Sequence, residues 1–68
     1  SSIILSADEN LMYSGSIDTT IREWSVPDGQ CVRAFEGHTK TVTSVILSAD
    51  GKRLYSASDD KTVREWSI

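Results

Sequence analysis

The sequence predicts an all-β fold, and three observations carry that prediction. Shifting the chain by 42 positions lays Ser2–Val26 over Ser44–Ile68 with 15 of 25 residues identical and no gap. Within each copy, short stretches rich in β-branched residues alternate with polar turns, as in the run from Val42 to Leu47 followed by Ala49-Asp50-Gly51-Lys52. Nowhere do apolar residues recur at three- and four-residue spacing for long enough to build a helix.

Taken in order, the first copy holds strands at about 2–5, 11–16 and 20–25. The turn Val26-Pro27-Asp28-Gly29 then leads into a fourth strand over Gln30–Glu36. In the second copy the strands fall at Val42–Leu47, Arg53–Ser58 and Thr62–Ser67. Asp50-Gly51 is a strong hairpin signal, and Asp59-Asp60-Lys61 is a turn because Asp bonds readily to its own nearby backbone. A period of about 40–45 residues carrying four short strands is that of a propeller blade. The predicted architecture is therefore a β-propeller fragment, with one four-stranded blade over about 2–36 and three strands of the next over about 42–67. Val42, Val45, Ile46 and Leu47 put apolar side chains on both faces of their strand, which calls for cover on both sides. Neighbouring blades would supply it.

Composition narrows the class. A chain of 68 residues buries only about 60% of its unfolded surface, so it is marginal without staples. One cysteine, Cys31, makes no internal disulfide, and with one histidine it builds no structural zinc site. Ile3-Ile4-Leu5 is far short of a spanning helix, and no signal-peptide pattern opens the sequence. Ten acidic residues against seven basic give a net charge of −3, which argues against a nucleic-acid surface. No cofactor and no membrane are expected.

The ordered set Gly37-His38, Ser48-Ala49-Asp50-Gly51 and Leu54-Tyr55-Ser56-Ala57-Ser58-Asp59-Asp60-Lys61-Thr62-Val63-Arg64-Glu65-Trp66 strongly resembles a WD-repeat. Residues 2–26 look like the preceding repeat without its Gly-His start. On this resemblance the repeats run 1–36 and 37–68, the second lacking its outer strand. The chain departs from the family in two ways. Ser25 and Ser67 follow the tryptophans where the family has Asp, and Glu23 and Glu65 stand where an aliphatic residue is usual. The second departure puts a carboxylate near a face between blades, with no reason evident in the sequence beyond a partner or solvent at the rim.

Ser56, His38 and Asp60 supply the ingredients of a catalytic triad. The resemblance implies instead a structural hydrogen-bond network of His38, Ser56, Asp60 and Trp66, with Ser14, Asp18 and Trp24 at the matching places of the first repeat. A constellation repeated in each blade suits a scaffold better than a reaction centre. Cys31 reads as a small buried hydrophobe, and the adjacent Asp59 and Asp60 as turn residues rather than metal ligands. Arg22 and Arg64 read as solvated or paired with acidic neighbours. Carried over from the family, the candidate partner-binding positions are Thr39, Thr41 and Asp59 in the second repeat and Ile17 in the first.

The expected function is a non-catalytic protein–protein interaction scaffold, a segment of a larger propeller within a multiprotein assembly. Its expected partners are other proteins or peptides and the remaining blades of its own ring. The unpaired Cys31 and the family's habits imply a cytoplasmic or nuclear location. One alternative is a short chain that self-assembles into a propeller-like oligomer. A remoter one is a propeller enzyme or ligand-binding propeller, which a single histidine ill supports.

Overall fold

A computed structural model describes residues 2–68. Among the described residues, seven strands form two antiparallel sheets and nothing else is regular: β1 (Ile3–Leu5), β2 (Leu11–Gly15), β3 (Ile21–Ser25) and β4 (Cys31–Phe35) in the first, then β5 (Val42–Leu47), β6 (Arg53–Ser58) and β7 (Val63–Ser67) in the second. Both sheets are simple meanders, β1-β2-β3-β4 and β5-β6-β7. The all-β expectation and its seven strands are borne out, with several ends a residue shorter. Ser16 and Thr20 leave the ladder because they close the turn between β2 and β3, the Ser16 N–H donating to the Thr20 carbonyl at 3.1 Å.

The hairpin turns are stapled by the same chemistry twice. Ser6 Oγ donates to Asp8 Oδ1 at 2.6 Å while accepting from the Leu11 N–H at 3.1 Å, and Asp8 also accepts from the Asn10 N–H at 2.9 Å. Ser48, Asp50, Lys52 and Arg53 repeat the pattern at 2.6, 3.0 and 3.1 Å. These donors hold both Asp8 and Asp50 below the ordinary carboxylate range, the serine hydroxyl first in each case. Each such turn needs one left-handed residue. The second sheet uses Gly51 at φ 71°, whereas the first puts Glu9 there at φ 62°. The β2–β3 and β6–β7 turns likewise hold Thr19 at φ 78° and Lys61 at φ 71°.

The sheets pack face to face around one core, in which Tyr13, Ile21 and Phe35 of the first meet Val42, Val45 and Leu54 of the second. Close approach is set by Gly15, where a β-carbon would lie 2.7 Å from Val42 Cγ1. There the Val42 N–H donates to the Ser16 carbonyl at 3.1 Å, a backbone bond from one sheet to the other.

Two expectations need correcting. Cys31 is exposed, because β4 is the outermost strand and only its last residue, Phe35, reaches the second sheet. β5 is covered on one face only: Val42 and Val45 are buried against the first sheet, while Ile46 faces outward and is exposed. One neighbouring sheet covers one face.

Candidate functional site

The side chains singled out in the second sheet converge behind the loop that leads into β5. His38 is buried, with Nδ1 3.0 Å from Asp60 Oδ2 and Nε2 2.6 Å from Ser56 Oγ. Trp66 Nε1 donates to the same Ser56 Oγ at 2.8 Å. The direction of the chain follows from what each end can do. Trp66 can only donate, and an ionised Asp60 can only accept, so protons point from Trp66 to Ser56, on to His38 and then to Asp60. A neutral imidazole carrying its proton on Nδ1 satisfies every link.

Asp60 gathers more than the histidine. It accepts from the Thr39 N–H at 3.0 Å, from the Thr62 N–H at 2.9 Å and from the Thr62 hydroxyl. The Thr62 hydroxyl is the largest cause holding this carboxyl well below the ordinary range; burial opposes it, and the Thr39 N–H and His38 add to it. The loop before β5 is thus bound to the β6–β7 turn through one carboxylate. Phe35 of the first sheet packs on Trp66 with ring centroids 5.6 Å apart, so the network backs onto the core.

The first sheet repeats part of this arrangement. Trp24 Nε1 donates to Ser14 Oγ at 3.0 Å. Asp18 accepts from the Thr20 N–H at 3.0 Å, from its hydroxyl at 2.6 Å and from Arg22 at 3.3 Å. The Thr20 hydroxyl is again the first cause of a carboxyl held well below the ordinary range. No histidine joins Ser14 to Asp18 among the described residues.

As a reaction centre the second network is poorly disposed. Ser56 is 1% exposed and its oxygen is engaged by both Trp66 and His38, leaving no open side for a substrate. No group of three His, Cys, Asp or Glu side chains among the described residues could hold a metal ion.

The candidate partner-binding positions come together at one edge. Ile17 is 79% exposed in the β2–β3 turn, next to Ser16, whose carbonyl accepts from Val42. Thr39 is exposed and Thr41 half-buried. The Asp59 N–H donates to the Thr41 carbonyl at 3.0 Å, and Ser58 Oγ to the Lys40 carbonyl at 3.1 Å. Bonds from turn to loop to turn therefore fix Ile17, Thr39, Thr41 and Asp59 along one rim.

Sequence reasoning missed a second buried cluster. Glu23 is 3% exposed, accepts from the Tyr13 hydroxyl at 2.5 Å and pairs with Arg33 Nε at 2.9 Å. Burial, followed by the Glu23 carboxylate, pushes the Tyr13 hydroxyl up, so it stays protonated and donating. This answers why a carboxylate stands at an inter-sheet face: it is neutralised and hydrogen-bonded there. The signal lay in register, since Tyr13 is the direct cross-strand partner of Glu23, and Glu23 of Arg33. Tyr55 and Glu65 repeat the first pair on β6 and β7, but Glu65 is exposed and lies 3.9 Å from Arg53.

With this geometry in view, comparisons with known proteins agree. The family model described as "WD domain, G-beta repeat" matches residues 1–25 and 29–67. The mouse F-box/WD repeat-containing protein 10 is 49% identical over 41 residues, covering 60% of this chain and 4% of that protein. The bovine pre-mRNA-processing factor 19 is 41% identical over 42 residues, covering 62% of this chain and 8% of that protein. Among solved structures, one described as "Structure of U3-55K" superposes with a TM-score of 0.91 at 27% identity, covering 98% of this chain and 20% of that one. The chain thus spans a small fraction of the length of the relatives it matches.

Proposed function

The chain belongs to the WD-repeat family, and from that premise we propose that it is a non-catalytic protein-interaction scaffold, a segment of a larger propeller working within a multiprotein assembly. The observation that carries this reading is the rim: Ile17, Thr39, Thr41 and Asp59 are held on bonded turns at one edge, with Ile17 79% exposed. Exposed loop residues on a rigid support are where binding concentrates. The network of His38, Ser56, Asp60 and Trp66, with Ser14, Asp18 and Trp24 in the first repeat, is the structural support of that rim. The repeats run 1–36 and 37–68, and the remaining blades of the ring cover the outward faces of both sheets. The names of the two relatives, one joining WD repeats to an F-box and one a pre-mRNA-processing factor, are consistent with work inside assemblies. A net charge of −3 favours proteins over nucleic acid or anionic membrane as partners, and a free thiol at Cys31 suits the cytoplasm or nucleus.

The test compares proteins co-purifying with the polypeptide that carries this chain, wild type against Ile17→Glu, Thr39→Lys and Asp59→Lys. The expected result is the same few proteins lost from all three variants while the strand signature in circular dichroism stays unchanged. An unchanged set of partners would overturn the reading, as would a turnover activity abolished by Ser56→Ala in a protein that remains folded.

A further inference from the structure

The seam between the two sheets is closed at one end and open at the other. Near the rim the backbones almost touch: a β-carbon at Gly15 would lie 2.7 Å from Val42 Cγ1, and the Val42 N–H donates to the Ser16 carbonyl. Sheets packed at an angle to one another part away from such a contact. At the opposite end the parting leaves a hollow of about 300 Å³, and Ala7 and Gly51 in its wall are too small to fill it. Leu11, Tyr13, Leu47 and Ile68 give it an apolar lining, Tyr13 buried and the other three half-buried. Its exposed edge is acidic, with Asp8 reaching it from the β1–β2 turn and Asp50 from the β5–β6 turn. The hollow lies within the seam, not on an outward face that a further blade would cover.

The two carboxylates are alike in what they leave free. In each, Oδ1 accepts from both the turn hydroxyl and the turn N–H, those of Ser6 and Asn10 at Asp8 and those of Ser48 and Lys52 at Asp50. Among the described residues Oδ2 has no partner in either case, and neither carboxylate belongs to an ion pair. The three turns at this end carry Asp8, Glu9, Asp28 and Asp50 against Lys52 alone. We infer that the hollow is a second docking site, at the opposite end from the rim, which seats a lysine or arginine side chain of a partner protein. The methylene stem of such a side chain suits the apolar lining, while its cation stays at the wet edge beside the two carboxylates. A purely apolar side chain would leave both charges unanswered, and an acidic one would be repelled. The inference rests on the scaffold reading only in taking the occupant from a protein.

The test uses the whole polypeptide that carries this chain, with its leucine methyl groups labelled so that Leu11 and Leu47 report by NMR. The probes are short capped Gly-Ser peptides with one central lysine, arginine or norleucine. The lysine and arginine peptides are expected to shift both methyl signals saturably in the millimolar range. They should bind about fivefold more tightly than the norleucine peptide, a margin that added salt should erase. Asp8→Asn combined with Asp50→Asn keeps the turn acceptors but removes the charges, and should bring the basic peptides down to the norleucine level. Ala7→Phe should fill the hollow and abolish all three responses, while Ile17→Glu at the rim should alter none. A norleucine peptide that binds as tightly as the lysine one overturns the inference, as does the absence of a methyl shift with every probe. So does an unchanged response in the double asparagine variant, shown to be folded by circular dichroism. Partners lost from the rim variants without any response here would leave the scaffold reading standing and this site refuted; the reverse would leave this site standing.

Discussion

The two sheets share most of their residues, yet among the described residues the second shows a closed polar chain and the first only its ends. In the second, Trp66, Ser56, His38 and Asp60 are linked without a break, and the loop before β5 is bound into the sheet. In the first, Trp24 reaches Ser14, and Asp18 turns to Thr20 and the half-exposed Arg22. The inter-sheet carboxylate shows the reverse pattern, since Glu23 of the first sheet is buried and paired while Glu65 of the second stands in solvent. An identical side chain thus acquires its role from the neighbour that covers it.

The strongest way to break the comparison is at the shared serine. Ser56→Ala removes the partner of the buried His38 Nε2 and of the half-buried Trp66 indole, and is expected to cost about 3 kcal/mol. Among the described residues Ser14 holds the half-buried Trp24 indole alone, so in this 68-residue stretch Ser14→Ala should cost about 1 kcal/mol. Urea unfolding of both variants reads the gap, and equal losses would mean that the histidine adds nothing. Next comes the carboxylate pair. Glu23→Ala leaves the buried Tyr13 hydroxyl without an acceptor and should cost about 2 kcal/mol in the same urea unfolding.

Acid sharpens the contrast between the two aspartates. Asp60 and Asp18 both titrate below their ordinary value of 3.8 in the folded chain. The stability each contributes is therefore fully present above that value and is lost as pH falls through the lower, folded one. Thermal unfolding followed from about pH 6 to pH 2 should fall more steeply in wild type than in Thr62→Val, which lacks the hydroxyl that contributes most to lowering Asp60. If the two curves run parallel, the Thr62 hydroxyl does not hold the carboxylate. The smallest effect lies at the hairpin tips. Glu9→Gly places glycine where the second sheet already has Gly51, and should stabilise by about 1 kcal/mol or less in thermal unfolding.

Much of this fold could be read from the chain. The repeat fixes the number of strands, the Asp-Gly and Asp-Asp turns fix where they reverse, and β-branched residues mark β5 as a strand. Quantities that depend on which neighbour is present were harder to read. Cys31 alternates with its neighbours as a half-buried strand residue would, but the covering sheet stops short of it. Glu23 looks misplaced until the register shows Tyr13 and Arg33 on either side. The polar chain around His38 is implied by the family resemblance rather than by any spacing rule, because His38 lies 18 to 24 residues from Ser56, Asp60 and Thr62 and meets them only when the loop folds back.

The turn at Asp60 has a consequence for recognition. Its carboxylate is held from three directions, Lys61 is locked in the left-handed region, and the backbone of Asp59 is tied to Thr41. On the proposed reading of the rim, a partner reaching Asp59 meets a turn that is already ordered. Little conformational entropy remains to be lost on docking, and affinity there depends on contact chemistry rather than on ordering the loop. Association should accordingly proceed as between rigid bodies, with substitutions at the rim altering residence time more than encounter rate.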